Sequence, residues 1–420
     1  MATTTPPIVS DAELDRLRDA VAAAEDAFLA DLERLCRIDC GSYSPRGVNQ
    51  VAMWVAGEMK RLGATVERRP DPDGKYGDTV IGTWRRSGSR ASDPARPRVL
   101  LIGHMDTVFE DGTAADRPFR IASGIAYGPG VTDMKGGLVA GLHAIRAARA
   151  VAGDDLPLDQ ITYIANPDEE IGSPSSSPHI REVAAESDVC LCLECARANG
   201  DFVSSRKGIA DTRITVHGRA AHAGVEPEKG RSAVLAAAHL TTAIHALNGR
   251  WPDVTTNVGV FRAGTRPNIV TDLAELEVDL RARTAANLDA AVETIRGLAA
   301  NPAVPDVTID VDVRHAWRPM ERLERSGRLV ELTIELAGRL GFTTTDGATG
   351  GAGDANTTSG MGIPTIDGLG PIGGRDHSPD EYLEVGSIVP RTALVAALLL
   401  AIGRDPVIAG WRAATIRANP

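Results

Sequence analysis

Two histidines and a group of carboxylates stand at positions where they could share a metal. His104 and Asp106 follow the apolar run VLLIG at 99–103. Asp168, Glu169 and Glu170 follow ITYIA at 161–165, and Glu194 follows DVCLCL at 188–193. Asp133 lies in the glycine-rich turn GPGVTDMKGG, and His377 lies in GGRDHSPDE. Imidazole nitrogens combined with carboxylate oxygens suit zinc, manganese or cobalt better than a structural thiolate site would. Each residue alone has an ordinary explanation. A strand-end histidine is usually a surface or satisfied core group, Asp133 could cap the next helix, and Glu169-Glu170 could be a solvated turn. Together they are harder to dismiss, because charge placed directly after a buried run is costly unless it is paired or metal-bound. The cluster Cys190, Cys192 and Cys195 offers a rival soft-metal site. Two of those thiols sit inside an apolar run, where free cysteine behaves as a small hydrophobe, and no second pair stands at zinc spacing. Cys36 and Cys40 read as structural.

The elements that must present these residues follow from periodicity. The runs at 99–103, 161–165 and 188–193 read as buried strands, and helical segments near 135–150 and 178–186 lie between them. Strands alternating with helices predict an α/β unit with a largely parallel sheet, whose carboxyl-terminal edge is where ligands bind. Apolar residues from Leu14 to Ile38 recur at steps of three or four and predict one long helix. A second helix carries Val51, Val55, Met59 and Leu62 and stops at Gly63. GSRASDPARP at 88–97 reads as a polar loop. The segments 209–217 and 273–281 instead alternate apolar and charged residues, as an antiparallel sheet with one wet face does. Helical patterns near 230–248 and 287–300 accompany them. The expected fold class is therefore α/β: a mostly parallel-sheet catalytic domain flanked by helices at 1–208 and 321–420, with an inserted α+β domain at 209–320. Residues 347–374 hold 10 glycines in 28 positions. Their mixture with apolar and charged residues favours a functional loop over a linker.

Composition narrows the function. The 420 residues carry 45 basic and 56 acidic side chains, a formal charge of 45 − 56 = −11, which disfavours nucleic-acid binding. The longest uninterrupted apolar run, Ala393 to Ile402, falls short of the ~20 residues of a membrane span. The start MATTTPPIVS has no basic region followed by an apolar one, so no secretory signal is expected. Five cysteines give no disulfide framework, and a cytoplasmic location is the expectation.

The order HMDTV, GPGVTDMKGG, DEEIGS, a strand-end Glu194 and a late GGRDHSPDEY resembles the zinc-dependent amidohydrolase and exopeptidase family. That family includes bacterial glutamate carboxypeptidase, acetylornithine deacetylase, succinyl-diaminopimelate desuccinylase and the aminoacylases. The likeness spans roughly residues 30–400, and GGAGDANTTSGMGIPTIDGLGPIGG is most similar to the glutamate carboxypeptidase branch. The resemblance implies two zinc ions per subunit, with cobalt or manganese able to substitute, bridged by Asp133. His104 and Glu194 would complete one site, and Glu170 and His377 the other. It also implies that Asp106 orients the His104 ring, that Glu169 is the general base, and that a cis peptide follows Asp133. His222 in HGRAAHAG would reach the partner subunit's active site to stabilise an oxyanion. Asn268 in TRPNIV and Arg281 in VDLRAR would bind substrate, Arg281 through its carboxylate. Gly353 would line the pocket through its backbone. From the residues alone, the preferred reading of Arg281 is a strand-surface ion pair with Glu277 or Asp279.

The functional expectation is a dizinc carboxypeptidase that releases a C-terminal amino acid, such as glutamate, from a small peptide or N-acyl conjugate. It would form a homodimer through the inserted domain and need neither nucleic acid nor membrane. The alternative is an N-acyl-amino-acid deacylase. A non-catalytic binding protein on the same fold is opposed by the complete ligand set and Glu169. A metallo-phosphohydrolase should bring more basic residues to the metals.

Overall fold

The three apolar runs that end in candidate ligands form neighbouring strands of one six-stranded sheet. The computed structural model describes residues 7–86, 96–153 and 156–418, so most of the polar loop expected at 88–97 lies outside the described residues. The strand order is Thr65–Arg69, Thr79–Arg85, Gln160–Asn166, Arg98–His104, Val189–Cys192, Thr365–Ile366. The last four run parallel, and the first two join them antiparallel. Every residue of Gln160–Asn166 is buried, which is why it shows no alternation of apolar and polar side chains. His104 pairs with Asn166, and Ile102 pairs with Cys192. This register brings the carboxyl ends of three strands to one edge.

Helices cover the sheet. Gly136–Ala152 and Ile388–Arg404 are buried almost all round, as helices inside a core are. The apolar stretch Val385–Arg404 is long enough to cross a membrane by length and composition, but 78% of its apolar window is buried within the protein. The single helix expected over 14–38 is two helices, Asp11–Ala22 and Glu25–Cys36. Ala24 leaves helical geometry at φ −107° and ψ 8°. Glu25 and Asp26 then open the second helix, where acidic side chains suit the exposed N–H groups. The apolar stripe survives the break because both helices bury their leucines. The glycine-rich stretch is ordered into a strand, Asp346–Thr349, the buried helix Asp354–Gly360 and the edge strand Thr365–Ile366.

The chain divides into two compact units. One comprises Met1–Ser204, Arg322–Ala348 and Gly353–Pro420, and the other Ser205–Glu321 with Thr349–Ala352. The second unit has its own core under a four-stranded antiparallel sheet, ordered Thr255–Ala263, Leu273–Ala282, Gly208–His217, Thr308–Trp317. Ala274, Leu276, Val278, Leu280 and Ala282 are buried on one face of the second of these strands, following the period of two in the sequence.

Candidate metal centre

Asp133 stands between two groups of ligand atoms. Its Oδ1 lies 3.1 Å from His104 Nε2, which is 3.6 Å from Glu194 Oε1. Its Oδ2 lies 3.2 Å from His377 Nε2, which is 3.1 Å from Glu170 Oε2. In each group, one ligand atom from every residue lies within 4.8 Å of the others. Zinc takes nitrogen and oxygen ligands at about 2.1 Å in a tetrahedron, so neighbouring ligand atoms should stand about 3.4 Å apart. The spacing and the donor chemistry of each group therefore fit zinc.

Local structure explains the placement. The turn carrying Asp133 begins at Gly130, whose φ is +70°, a left-handed conformation that glycine tolerates. The Asp133–Met134 peptide is cis, as the family resemblance implied. At Gly137, an added Cβ would lie 1.8 Å from the Leu193 carbonyl oxygen. Only glycine lets this helix approach so near the strand end that presents Glu194.

A second set of carboxylates holds the turns that carry the ligands. His104 Nδ1 lies 3.0 Å from the Asp106 carbonyl oxygen and 3.3 Å from Asp106 Oδ1, which fixes the ring with Nε2 toward the site. The fully buried Asp106 carboxylate also accepts from Ser42 Oγ at 2.6 Å, Glu169 N at 3.1 Å and Glu170 N at 3.2 Å. Asp168 accepts from the backbone N–H groups of Ser175 and Ser176. Asp354 accepts from Asn166 Nδ2 and Ser173 Oγ. Glu381 accepts from the backbone of Gly130, Thr132 and Asp133. Sequence reasoning assigned no role to Asp168, Asp354 or Glu381. For Asp168 and Glu381 the signal was an acidic residue inside a ligand motif, whereas Asp354 lies 23 positions before His377 and carried no such signal.

Crowding of negative charge sets the electrostatics. Burial raises the Glu169 carboxyl well above its ordinary value of 4.5, with Glu194, Asp354 and Glu170 adding to the rise. Burial also raises Glu170. At His377, hydrogen bonds to Asp133 and Glu170 raise the imidazole to about 10. At His104, burial opposes the charged form, but Glu194, Asp106 and Asp133 outweigh it and leave the ring raised. Such a cluster holds its full negative charge only when cations neutralise it. Among the described residues nothing hydrogen-bonds the Glu169 carboxylate, whereas the Glu170 carboxylate meets His377. The two adjacent carboxylates thus have different surroundings, one beside an imidazole and one not.

The thiols play no part in these groups. All five cysteines are buried and unpaired with one another. Burial pushes the Cys190 thiol up to about 12 and raises Cys192 and Cys195 well above their ordinary range. That is the opposite of what a thiolate ligand needs.

Gly353 caps the helix Asp354–Gly360 and donates its N–H to Asn356 Oδ1. In the second unit, His222 and Asn268 are exposed neighbours: Ala223 N donates to the Asn268 carbonyl, and His222 pairs with Ile269. Arg281 grips Asp279 with Nε and Nη2, at 2.9 Å each, and donates Nη1 to the Gly350 carbonyl. The ion pair with Asp279, one of the two partners the sequence offered, is therefore formed.

The profile of peptidase family M20/M25/M40 matches residues 100–401. The chain is 30% identical over 393 residues to carboxypeptidase G2 of Pseudomonas sp. (strain RS-16), covering 92% of each chain. It is 24% identical over 375 residues to acetylornithine deacetylase of Proteus mirabilis, covering 84% of this chain and 88% of the other. Aminopeptidase PepT of Bacillus cereus shares the fold, with a TM-score of 0.74 at 22% identity over 90% of this chain and 98% of that one. The chain belongs to peptidase family M20/M25/M40 and is a metallohydrolase of peptide or amide bonds.

Proposed function

We propose that this enzyme is a dizinc carboxypeptidase that releases a C-terminal amino acid, such as glutamate, from a small peptide or N-acyl conjugate. The observation that carries the two-metal reading is the division of Asp133 Oδ1 and Oδ2 between two imidazole–carboxylate groups. The choice of carboxypeptidase over deacylase is supported by the extended likeness to carboxypeptidase G2. His104, Asp133 and Glu194 would hold one ion, and Asp133, Glu170 and His377 the other, with cobalt or manganese able to substitute. Zinc, when bound, supplies Lewis-acid polarisation of the carbonyl and a nucleophile available at neutral pH. Glu169 takes the proton from the attacking water and returns it to the leaving amine. Asp106 keeps the His104 ring oriented. His222, acting from the partner subunit of a homodimer, donates to the developing oxyanion. Arg281 and Asn268 take the substrate carboxylate and the peptide, Arg281 exchanging its Asp279 contact for the substrate. Gly353 offers backbone at the pocket wall. The inserted domain, 209–320, would serve as lid and dimer contact, and the enzyme would work in the cytoplasm.

An N-acyl-amino-acid deacylase is the second reading, favoured by the likeness to acetylornithine deacetylase. A hydrolysis screen separates them. Peptidyl, aroyl and short-acyl amino acids are offered with zinc, cobalt or manganese added. Preference for peptidyl or aroyl glutamate supports the first reading, and preference for short acyl groups on basic amino acids supports the second. No hydrolysis of any amide with both sites loaded refutes both.

A further inference from the structure

We propose that Glu381 is a positioning residue that locks the turn carrying Asp133 to the loop carrying His377, fixing the shared ligand before any ion arrives. Glu381 lies four positions after His377 and is 1% exposed. Its Oε2 accepts from Gly130 N at 2.8 Å, and its Oε1 accepts from Thr132 N at 2.9 Å and Asp133 N at 3.0 Å. Three backbone N–H groups of one turn thus converge on one carboxylate, an arrangement that favours an anion. The surrounding sheet explains why this position can reach both loops. Tyr382–Glu384 pairs on one side with Ile125–Tyr127, which leads directly into the Asp133 turn. On the other side it pairs with Gly373–Gly374, which leads directly into the His377 loop. Glu381 therefore stands where both ligand loops leave the sheet. Asp133 has non-helical backbone within the turn Val131–Lys135, and His377 lies outside any helix or strand, so these three hydrogen bonds tie the Asp133 turn to the segment that follows His377.

Glutamine at this position keeps the size but not the function. One carboxylate oxygen becomes an NH2 group, which faces a backbone N–H and cannot accept from it. Aspartate keeps the charge and shortens the reach by one methylene. The inference rests on the metal reading of Asp133 and His377 and is independent of the substrate.

Zinc titration of the metal-stripped full chain by calorimetry tests it, using wild type, Glu381→Gln, Glu381→Asp and the neighbouring control Asp380→Asn, whose side chain is 75% exposed. The expected result is two ions bound by wild type and by the control, with affinity in Glu381→Gln reduced about 10–100-fold, the usual cost of losing an outer partner of a metal ligand. Excess zinc should restore most of its kcat, which a catalytic group's loss would not allow. If Glu381→Gln does not stay folded without metal, Glu381→Asp decides the question, with a loss of about tenfold expected. Zinc affinity within about threefold of wild type in the folded variant overturns the inference. Wild type that fails to take two ions overturns the metal reading and this inference with it, so the two failures are distinguishable.

Discussion

Asp106→Asn tests whether the carboxylates behind the ligands govern the site. Asp106 is fully buried and its two oxygens divide their work. Oδ1 serves Glu169 N and the His104 ring, while Oδ2 serves Ser42 Oγ and Glu170 N. Asparagine retains one acceptor. With that oxygen in the Oδ1 position, the new NH2 group meets Ser42, whose hydroxyl can turn to accept. Glu170 N cannot turn. One hydrogen bond to a charged group, about 1.5–3 kcal/mol, is lost outright, and the other weakens as the charge disappears, for a total of about 2–4 kcal/mol. The loss falls on the backbone of Glu170, so it displaces a proposed metal ligand rather than a surface turn. Hydrogen exchange over 166–172 in the metal-stripped protein should show local opening easier by that amount. Zinc affinity should fall about 10–100-fold. Unchanged zinc affinity, with exchange altered by less than about 0.5 kcal/mol, would refute the reasoning, because a buried N–H left unpaired must cost more than that.

Three further outcomes are expected. Glu169→Gln should keep fold and metal content while kcat falls about 10²–10⁴-fold; a loss below about tenfold would point to another base. His222→Ala should depress kcat, whereas Arg281→Ala should raise KM, and much less so for an amidated substrate lacking the carboxylate; equal effects on both substrates would remove Arg281 from carboxylate binding. In the metal-stripped fold, Glu169 and Glu170 are raised above 4.5, and His104 and His377 above 6.5. That fold therefore binds more protons than the unfolded chain, and its stability declines as pH rises from the ordinary carboxyl range through the raised values. Ions displace those protons, so the zinc-induced rise in Tm should grow between about pH 6 and about pH 8. A flat or shrinking difference in thermal scans would contradict this.

Much of the molecule could be read from particular residues. VLLIG, ITYIA and DVCLCL announced fully buried strands because a central parallel strand has no wet face. The alternation at Leu276, Val278 and Leu280 announced a one-sided sheet for the same reason reversed. The helix break at Ala23-Ala24 was hidden, since two packed helices sharing one core face leave the same apolar period as one. The ligand spacing was hidden too, because residues 29 to 244 positions apart in sequence meet only through strand register and the Gly130 and Gly137 approaches. The contact of Arg281 with Asp279, rather than with Glu277, depended on rotamers that a sequence pattern does not specify.

The acidic residues around the ligand motifs form two populations with opposite requirements. Asp133, Glu170 and Glu194 stand beside imidazole Nε2 atoms, in groups that could hold a cation. Asp106, Asp168 and Glu381 point at backbone N–H groups and need none. A turn that leaves a strand has N–H groups without ladder partners, and buried N–H groups must be paired. A carboxylate satisfies two or three of them at once and does so more strongly than a neutral acceptor. Irregular backbone, which lets ligands from distant strands converge, thereby has its N–H groups paired. The anchors also lie beside the ligands in sequence: Asp106 two positions after His104, Asp168 two before Glu170, and Glu381 four after His377. Each motif therefore carries both the group that would hold the ion and a group that steadies backbone near it. The density of acidic residues in HMDTV, NPDEE and DHSPDE follows from that pairing of tasks.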